Sequence, residues 1–124
     1  MYVFFTIAVG GILGCWSRYL MTQLVQAIWG NAFPYATLLI NVSGCFLMGF
    51  LFIETLERLT IAVPLRTGIL TGFLGGYTTF STFGMETLLL FEQGQMVKGA
   101  LYLLLSNFLG VTAAFFGAFL ARNV

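Results

Sequence analysis

Residues 75–83 read Gly75-Gly76-Tyr77-Thr78-Thr79-Phe80-Ser81-Thr82-Phe83 and sit inside an otherwise oily stretch. Upstream the chain runs RTGILTGFL from Arg66, and downstream it resumes as METLLLF from Met85. Two glycines and four Ser and Thr hydroxyls interrupt what would otherwise be one long apolar helix. An unpaired backbone group in hydrocarbon costs several kcal/mol, so a break is tolerated only where protein or a water-filled path satisfies it. Glycine frees the backbone to leave helical angles, and threonine hydroxyls compete for the released groups. The string therefore predicts a membrane helix broken near residues 75–79. Its freed carbonyls would be neutral oxygen ligands of the kind that hold Na+ in broken transporter helices. A kink that only shapes packing is the plainer reading of the same residues.

The surroundings are those of a membrane protein. Of 124 residues, 60% are hydrophobic and 7% charged, and the mean hydropathy is +1.00. A soluble domain carries about 25% charged residues, so this chain cannot clothe a water-facing surface. Four spans of about 20 apolar residues fit. They are residues 2–27, residues 35–55, a third that begins after Pro64 and reaches residue 91, and residues 96–121. The fold class expected is an all-α membrane protein, one domain over residues 1–124 with four transmembrane helices and the third of them broken. IWGNAFP, with Gly30 and Pro34, and EQGQ mark turns between spans. Arg18 follows the first apolar run rather than preceding it, so a retained first helix is expected in place of a cleaved leader.

Gly68, Gly72 and Gly76 recur at intervals of four, as do Gly10 and Gly14. Such stripes let backbones approach closely, and helix packing is their expected role. Cys15 and Cys45 match no metal or redox spacing and read as small buried thiols. A net charge of +1 without clustered Lys and Arg argues against nucleic acid as a partner. There is no histidine, Ser-His-Asp set, phosphate-cradling loop or metal cluster, so no enzymatic activity is expected. Arg58, Arg66 and Arg122 fall on one side of the predicted topology, against Arg18 and Lys98 on the other. That near balance leaves the positive-inside rule little to act on. Insertion both ways, or one way with a weak bias, is consistent with it.

The polar and aromatic residues at membrane depth carry the functional reading. Phe80 and Phe83 are three apart, so they lie on neighbouring turns; they either pack the core or turn positive ring edges toward a small anion. Asn41, with Thr37 one turn before it and Ser43 elsewhere on the helix, supplies hydrogen-bond donors. An interhelical bond of about 0.6 kcal/mol is the plainer role for Asn41. Tyr102 and Ser106 are four apart and precede Gly110, a possible polar track. Arg18 and Glu86 are charges at or near membrane depth, which makes them functional suspects. Arg18 falls near a predicted helix end and could snorkel to the interface. Glu86 is about two turns past the break, where it would line an aqueous vestibule.

The GGYTTFSTF string, with Asn41 in the preceding span and a four-span pattern over essentially the whole chain, resembles the Fluc (CrcB) family of small fluoride channels. The resemblance implies a homodimer of oppositely oriented subunits in the cell inner membrane, each subunit multi-pass, with two pores along the interface. It implies fluoride as the conducted ion and passive export as a defence against fluoride. By motif, Phe80 and Phe83 would supply pore-lining ring edges and Asn41 a central donor. Arg18 would sit at a pore mouth, and Tyr102 and Ser106 on the polar track. The carbonyls of Gly75 and Thr78 would hold a structural Na+ at the dimer centre, two from each subunit. A small multidrug-type exporter also fits four opposed helices, but it needs a carboxylate in its first span, where this chain has only Arg18 as a charge. A non-transporting membrane assembly subunit would account for the glycine stripes and Asn41, but not for the hydroxyl-rich break beside two phenylalanines.

Overall fold

The computed structural model describes residues 1–58 and 61–124, and all regular structure among them is helical. Helix α1 is Tyr2–Trp29, and α2 is Tyr35–Arg58 with its last turn, Glu54–Arg58, wound as a wider π-helix. Helix α3 covers residues 63–77, including the π-helical stretch Gly68–Leu74. Helix α4 is Phe80–Glu92 and α5 is Met96–Asn123. Three of these, α1, α2 and α5, are long and apolar enough to cross a membrane. Helices α3 and α4 hold 15 and 13 residues. Each falls short of the roughly 20 that a span needs. The tight turns after α1 and α4 use Gly30 (φ 70°) and Gly94 (φ 73°), a conformation that a β-carbon would strain.

The interruption between α3 and α4 falls within the expected residues 75–79, at the threonine end of them. Gly75 stays helical (φ −64°, ψ −37°), and the chain leaves the helix at Thr78 (φ −77°, ψ 160°) and Thr79 (φ −152°, ψ 114°). The neighbouring glycine is needed for packing instead. A β-carbon at Gly76 would lie 2.7 Å from the Gly11 carbonyl oxygen and 3.3 Å from the Cys15 nitrogen of α1.

That contact belongs to a long seam. Helices α1 and α3 run parallel, from Thr6, whose hydroxyl donates to the Pro64 carbonyl at 2.6 Å, to Arg18, which reaches Thr78. Between those ends Gly10 abuts the backbone at Gly68 and Phe73, Gly14 that at Phe73 and Tyr77, and Gly72 that at Ile7. Helices α2 and α5 form a second parallel pair, with Gly49 against Ala114 and Gly117 against Phe46 and Phe50. Lipid gives apolar helices no hydrophobic reason to associate, so backbone-to-backbone packing of this kind supplies the cohesion. Helix α2 is the shared wall. It runs antiparallel to α3 and α4, pairing Ser43 with Tyr77, Asn41 with Thr79 and Thr37 with Glu86. Large apolar side chains such as Phe4, Trp16 and Phe115 face outward.

At one end of the bundle Arg58 bonds the Arg122 carbonyl at 3.4 Å, and Arg122 lies 3.9 Å from Glu57. Two expectations are corrected. Cys15 is exposed and Cys45 half-buried, so the thiols are not both core residues. Arg18 is not near a helix end, because α1 continues to Trp29, eleven residues or about 16 Å further on.

The seam makes a prediction. Gly14→Ala drives a methyl group into the Phe73 carbonyl, whereas the nearest atom to a β-carbon at Gly11 is 4.0 Å away. Thermal unfolding in detergent should show Gly14→Ala destabilised by about 1–3 kcal/mol. Gly11→Ala should unfold close to the parent protein.

Candidate functional site

In a continuous helix the Thr79 N–H would donate to the Gly75 carbonyl, and the Thr79 carbonyl would accept from Phe83. Asn41 replaces the Gly75 carbonyl as acceptor and adds a second donor at the Thr79 carbonyl, which as the N-cap still accepts from within α4. Thr79 N–H donates to Asn41 Oδ1 at 2.8 Å, and Asn41 Nδ2 donates to the Thr79 carbonyl at 2.8 Å. The side-chain amide thus stands in for a peptide group across the break. Thr79 also caps α4: its Oγ1 accepts from the Thr82 N–H at 3.3 Å and donates to Thr82 Oγ1 at 3.0 Å. A hydroxyl at the N-cap satisfies one of the donors that every helix start leaves orphaned. Upstream, the Thr78 N–H and Oγ1 both donate to the Leu74 carbonyl, at 3.0 and 2.9 Å, and so finish α3. Arg18 Nη1 donates to the Thr78 carbonyl at 3.3 Å.

The break leaves acceptors over. The Gly75 carbonyl loses its helical donor, and a β-carbon at Gly75 would meet nothing within 4 Å, so this residue faces out of the bundle. The Thr78 carbonyl, by contrast, already accepts from Arg18; neutral oxygens of this kind hold cations such as Na+ at half-helix ends in transporters. Two such oxygens are too few for one ion, so a cation here fits only if a second chain brings matching ones.

A second cluster lies one to two turns along α4. Glu86 Oε1 accepts from Thr37 Oγ1 at 2.6 Å and Oε2 accepts from the Tyr102 hydroxyl at 3.0 Å. Both carboxylate oxygens have donors, which offsets part of the cost of holding a charge at this depth. The fully buried Tyr102 ring stands edge-to-face with Phe83, centroids 5.1 Å apart and planes at 67°. Phe80 and Phe83 are 5.6 Å apart, yet Phe83 is 6% exposed and Phe80 81%. One ring belongs to the bundle and the other faces outward.

Between the clusters opens a polar cleft of about 1040 Å³, running from the loops near residues 30–35 and 93–95 down to Arg18 and Thr79. Thr37, Thr82 and Glu86 line its depth, and Gln95 and Lys98 line the loop end. The cleft is wide enough for water as far as the break.

The predicted residues thus sort into groups. Asn41, Thr78 and Arg18 meet at the break, while Phe83 and Tyr102 meet Thr37 and Glu86 beside it. Phe80 and Gly75 face outward. Ser43 turns to the α2–α3 seam, pairing with the Tyr77 hydroxyl at 3.0 Å. Ser106 stands alone: its Oγ is buried and finds no hydrogen-bond partner among the described residues. Sequence reasoning included Thr79 in the break but missed it as the cap of α4, although a threonine just before an apolar helical run is a legible cap signal. It also passed over Phe33, a loop residue that packs on Tyr102 and that no periodicity marks.

Outward-facing apolar helices, one of them interrupted at the floor of a polar cleft, define a helical membrane protein built around its break. The sequence pattern of the family described as "CrcB-like protein, Camphor Resistance (CrcB)" matches residues 5–118, and the chain belongs to that family. It is 62% identical over 117 residues to the fluoride-specific ion channel FluC of Acidithiobacillus ferrooxidans, covering 94% of each chain. The identically named protein of Legionella pneumophila is 42% identical over 121 residues, 98% of this chain and 90% of its own. That of Methylococcus capsulatus is 48% identical over 120 residues, 97% of this chain but 53% of the relative.

The Asn41 clasp is testable through stability. Asn41→Leu leaves the Thr79 N–H without a partner and strips its carbonyl of one of two donors, and an unsatisfied buried group costs about 1–3 kcal/mol. The variant should therefore unfold at a markedly lower temperature in detergent. An unchanged midpoint would mean that the amide does not hold the break together.

Proposed function

We propose that the protein is a fluoride-selective ion channel that lets fluoride leave the cell passively and so confers fluoride resistance. The observation that carries this reading is the polar cleft that ends at Arg18 and the clasped break, directly beside the Phe83–Tyr102 ring pair. The names of relatives at 62% and 42% identity over almost the whole chain support fluoride as the ion.

Fluoride is small and strongly hydrated, so a pore must replace its water with donors of comparable polarity. Arg18 would draw anions into the cleft. Asn41 commits one N–H to Thr79 and keeps a second for the ion. The unpaired Ser106 hydroxyl would extend the donor track beside Tyr102, whose own hydroxyl is committed to Glu86, and the edges of Phe80 and Phe83 would present partial positive charge. The weakness of such ring edges matters, because conduction requires sites that let the ion leave.

Four spans per chain, the broken third counted as one, and two copies in opposite orientations complete the proposal, with two pores along their interface. The exposed Phe80 and the outward-facing Gly75 would then meet the second copy. Gly75 and Thr78 of both copies would supply four carbonyl oxygens to a Na+ on the dimer axis, where the ion would act as a structural crosslink. The bacterial inner membrane is the location consistent with this role.

The test is fluoride efflux from liposomes carrying the purified protein, with chloride efflux in parallel. Fast fluoride and little chloride release is the expected result, and no fluoride release from a folded dimer would sink the proposal. Phe80→Ile and Phe83→Ile should each slow efflux but part company in stability. Phe83→Ile, at a position buried within the subunit, should lose about 1 kcal/mol, while Phe80→Ile, exposed on the single subunit, should leave the subunit intact and weaken only the association of the two copies. Exchanging Na+ for a large organic cation should lower the thermal midpoint of the dimer, and identical midpoints in the two salts would remove the ion from the account.

A further inference from the structure

The loop between α1 and α2 places a ring against the bundle interior. Phe33 is half-buried, precedes Pro34 and lines the cleft. It also packs edge-to-face on Tyr102, with centroids 5.6 Å apart and planes at 82°. Tyr102 meets Phe83 at 5.1 Å, and Phe83 meets Phe80 at 5.6 Å. Four rings thus form one row from the loop to the outer surface of α4 beside the break. Tyr102 does not itself line the cleft; Phe33 does.

The loop is tied in place. Lys98 Nζ donates to the Ala32 carbonyl at 3.4 Å, the Tyr35 N–H donates to the Phe33 carbonyl at 2.8 Å, and the Tyr35 ring lies 4.9 Å from that of Phe33. Proline at 34 narrows the backbone choices of Phe33 as well. The Tyr102 ring is accordingly held on three counts: its hydroxyl by Glu86, one side by Phe83 and another by Phe33.

The geometry points to Phe33 as a positioning residue of the ion path, setting the angle of Tyr102 and, through it, of Phe83. This rests on the fluoride-channel reading of the same site. Edge-to-face contacts are directional, because a positive ring edge seeks a negative ring face, so each ring in the row constrains the next. An aliphatic side chain at position 33 fills much of the same space and still plugs the loop, but it carries no quadrupole and imposes no angle. A plug and a positioning ring are therefore separable by experiment.

Initial fluoride efflux would be measured in liposomes for the parent, Phe33→Leu, Phe33→Tyr, Tyr102→Leu and the double variant Phe33→Leu/Tyr102→Leu. Phe33→Leu should slow efflux roughly two- to tenfold, the factor that an edge-to-face pair represents, with dimer elution unchanged. Phe33→Tyr, which keeps the ring, should restore most of the rate. On the Tyr102→Leu background Phe33→Leu should add nothing, because the ring it acts through is already gone. Equal rates for parent and Phe33→Leu, equal rates for the Leu and Tyr variants, or independent effects in the double variant would each overturn the inference while leaving the channel reading intact. Should Phe33→Leu not fold, Phe33→Met carries the same test, supplying bulk without a ring. Parent protein that releases no fluoride would overturn the channel reading and this inference with it.

Discussion

The paired hydrogen bonds between Asn41 and the backbone of Thr79 allow a helix to stop in the middle of an apolar bundle. Leaving the helix strips the Thr79 N–H of its helical acceptor, and an unpaired buried group at this depth is costly, so the bond must be replaced in kind. A carboxamide is the side chain that can do it, since it offers a donor and an acceptor in the same plane as a peptide group. Thr79 then caps the next helix with its own hydroxyl, and α4 starts afresh. Arg18, the phenylalanine pair and the cleft floor are all placed relative to that restart.

The glycine seam between α1 and α3 serves the same centre from the other side. Because Gly10, Gly14 and Gly76 bring the two backbones together, Arg18 comes within reach of the Thr78 carbonyl. Without that approach the guanidinium would have no fixed partner at the break. The cleft consequently holds a cation at its floor and a carboxylate, Glu86, whose two oxygens are already engaged by Thr37 and Tyr102. The guanidinium is thus left more available to an incoming anion than the carboxylate is to an incoming cation.

Much of this was legible along the chain. The apolar runs, the hydroxyl-rich interruption and the glycine spacing are local patterns, and each recorded a physical need that the structure meets: backbone satisfaction in lipid and close helix approach. The remainder was decided by distant partners. Within the expected stretch 75–79 the break settles at Thr78 and Thr79, because its clasp lies 38 residues away in α2. Arg18 was read as near a helix end although the span itself was expected to run to residue 27; what holds it at depth is the Thr78 carbonyl, 60 residues away.

By itself, then, the sequence determined that this is an apolar helical protein with one interrupted helix and a few polar groups held at depth. Those properties follow from hydropathy and from the backbone freedom of glycine, which any short segment carries with it. The tertiary structure alone decided which groups face one another. Phe80 and Phe83 are three residues apart, and helical spacing places them on neighbouring turns, but packing against Tyr102 buries one and leaves the other exposed. Likewise Asn41 became a backbone clasp and Ser106 an unpaired hydroxyl. Such roles depend on what a neighbouring helix presents at that height, and no residue encodes its neighbour.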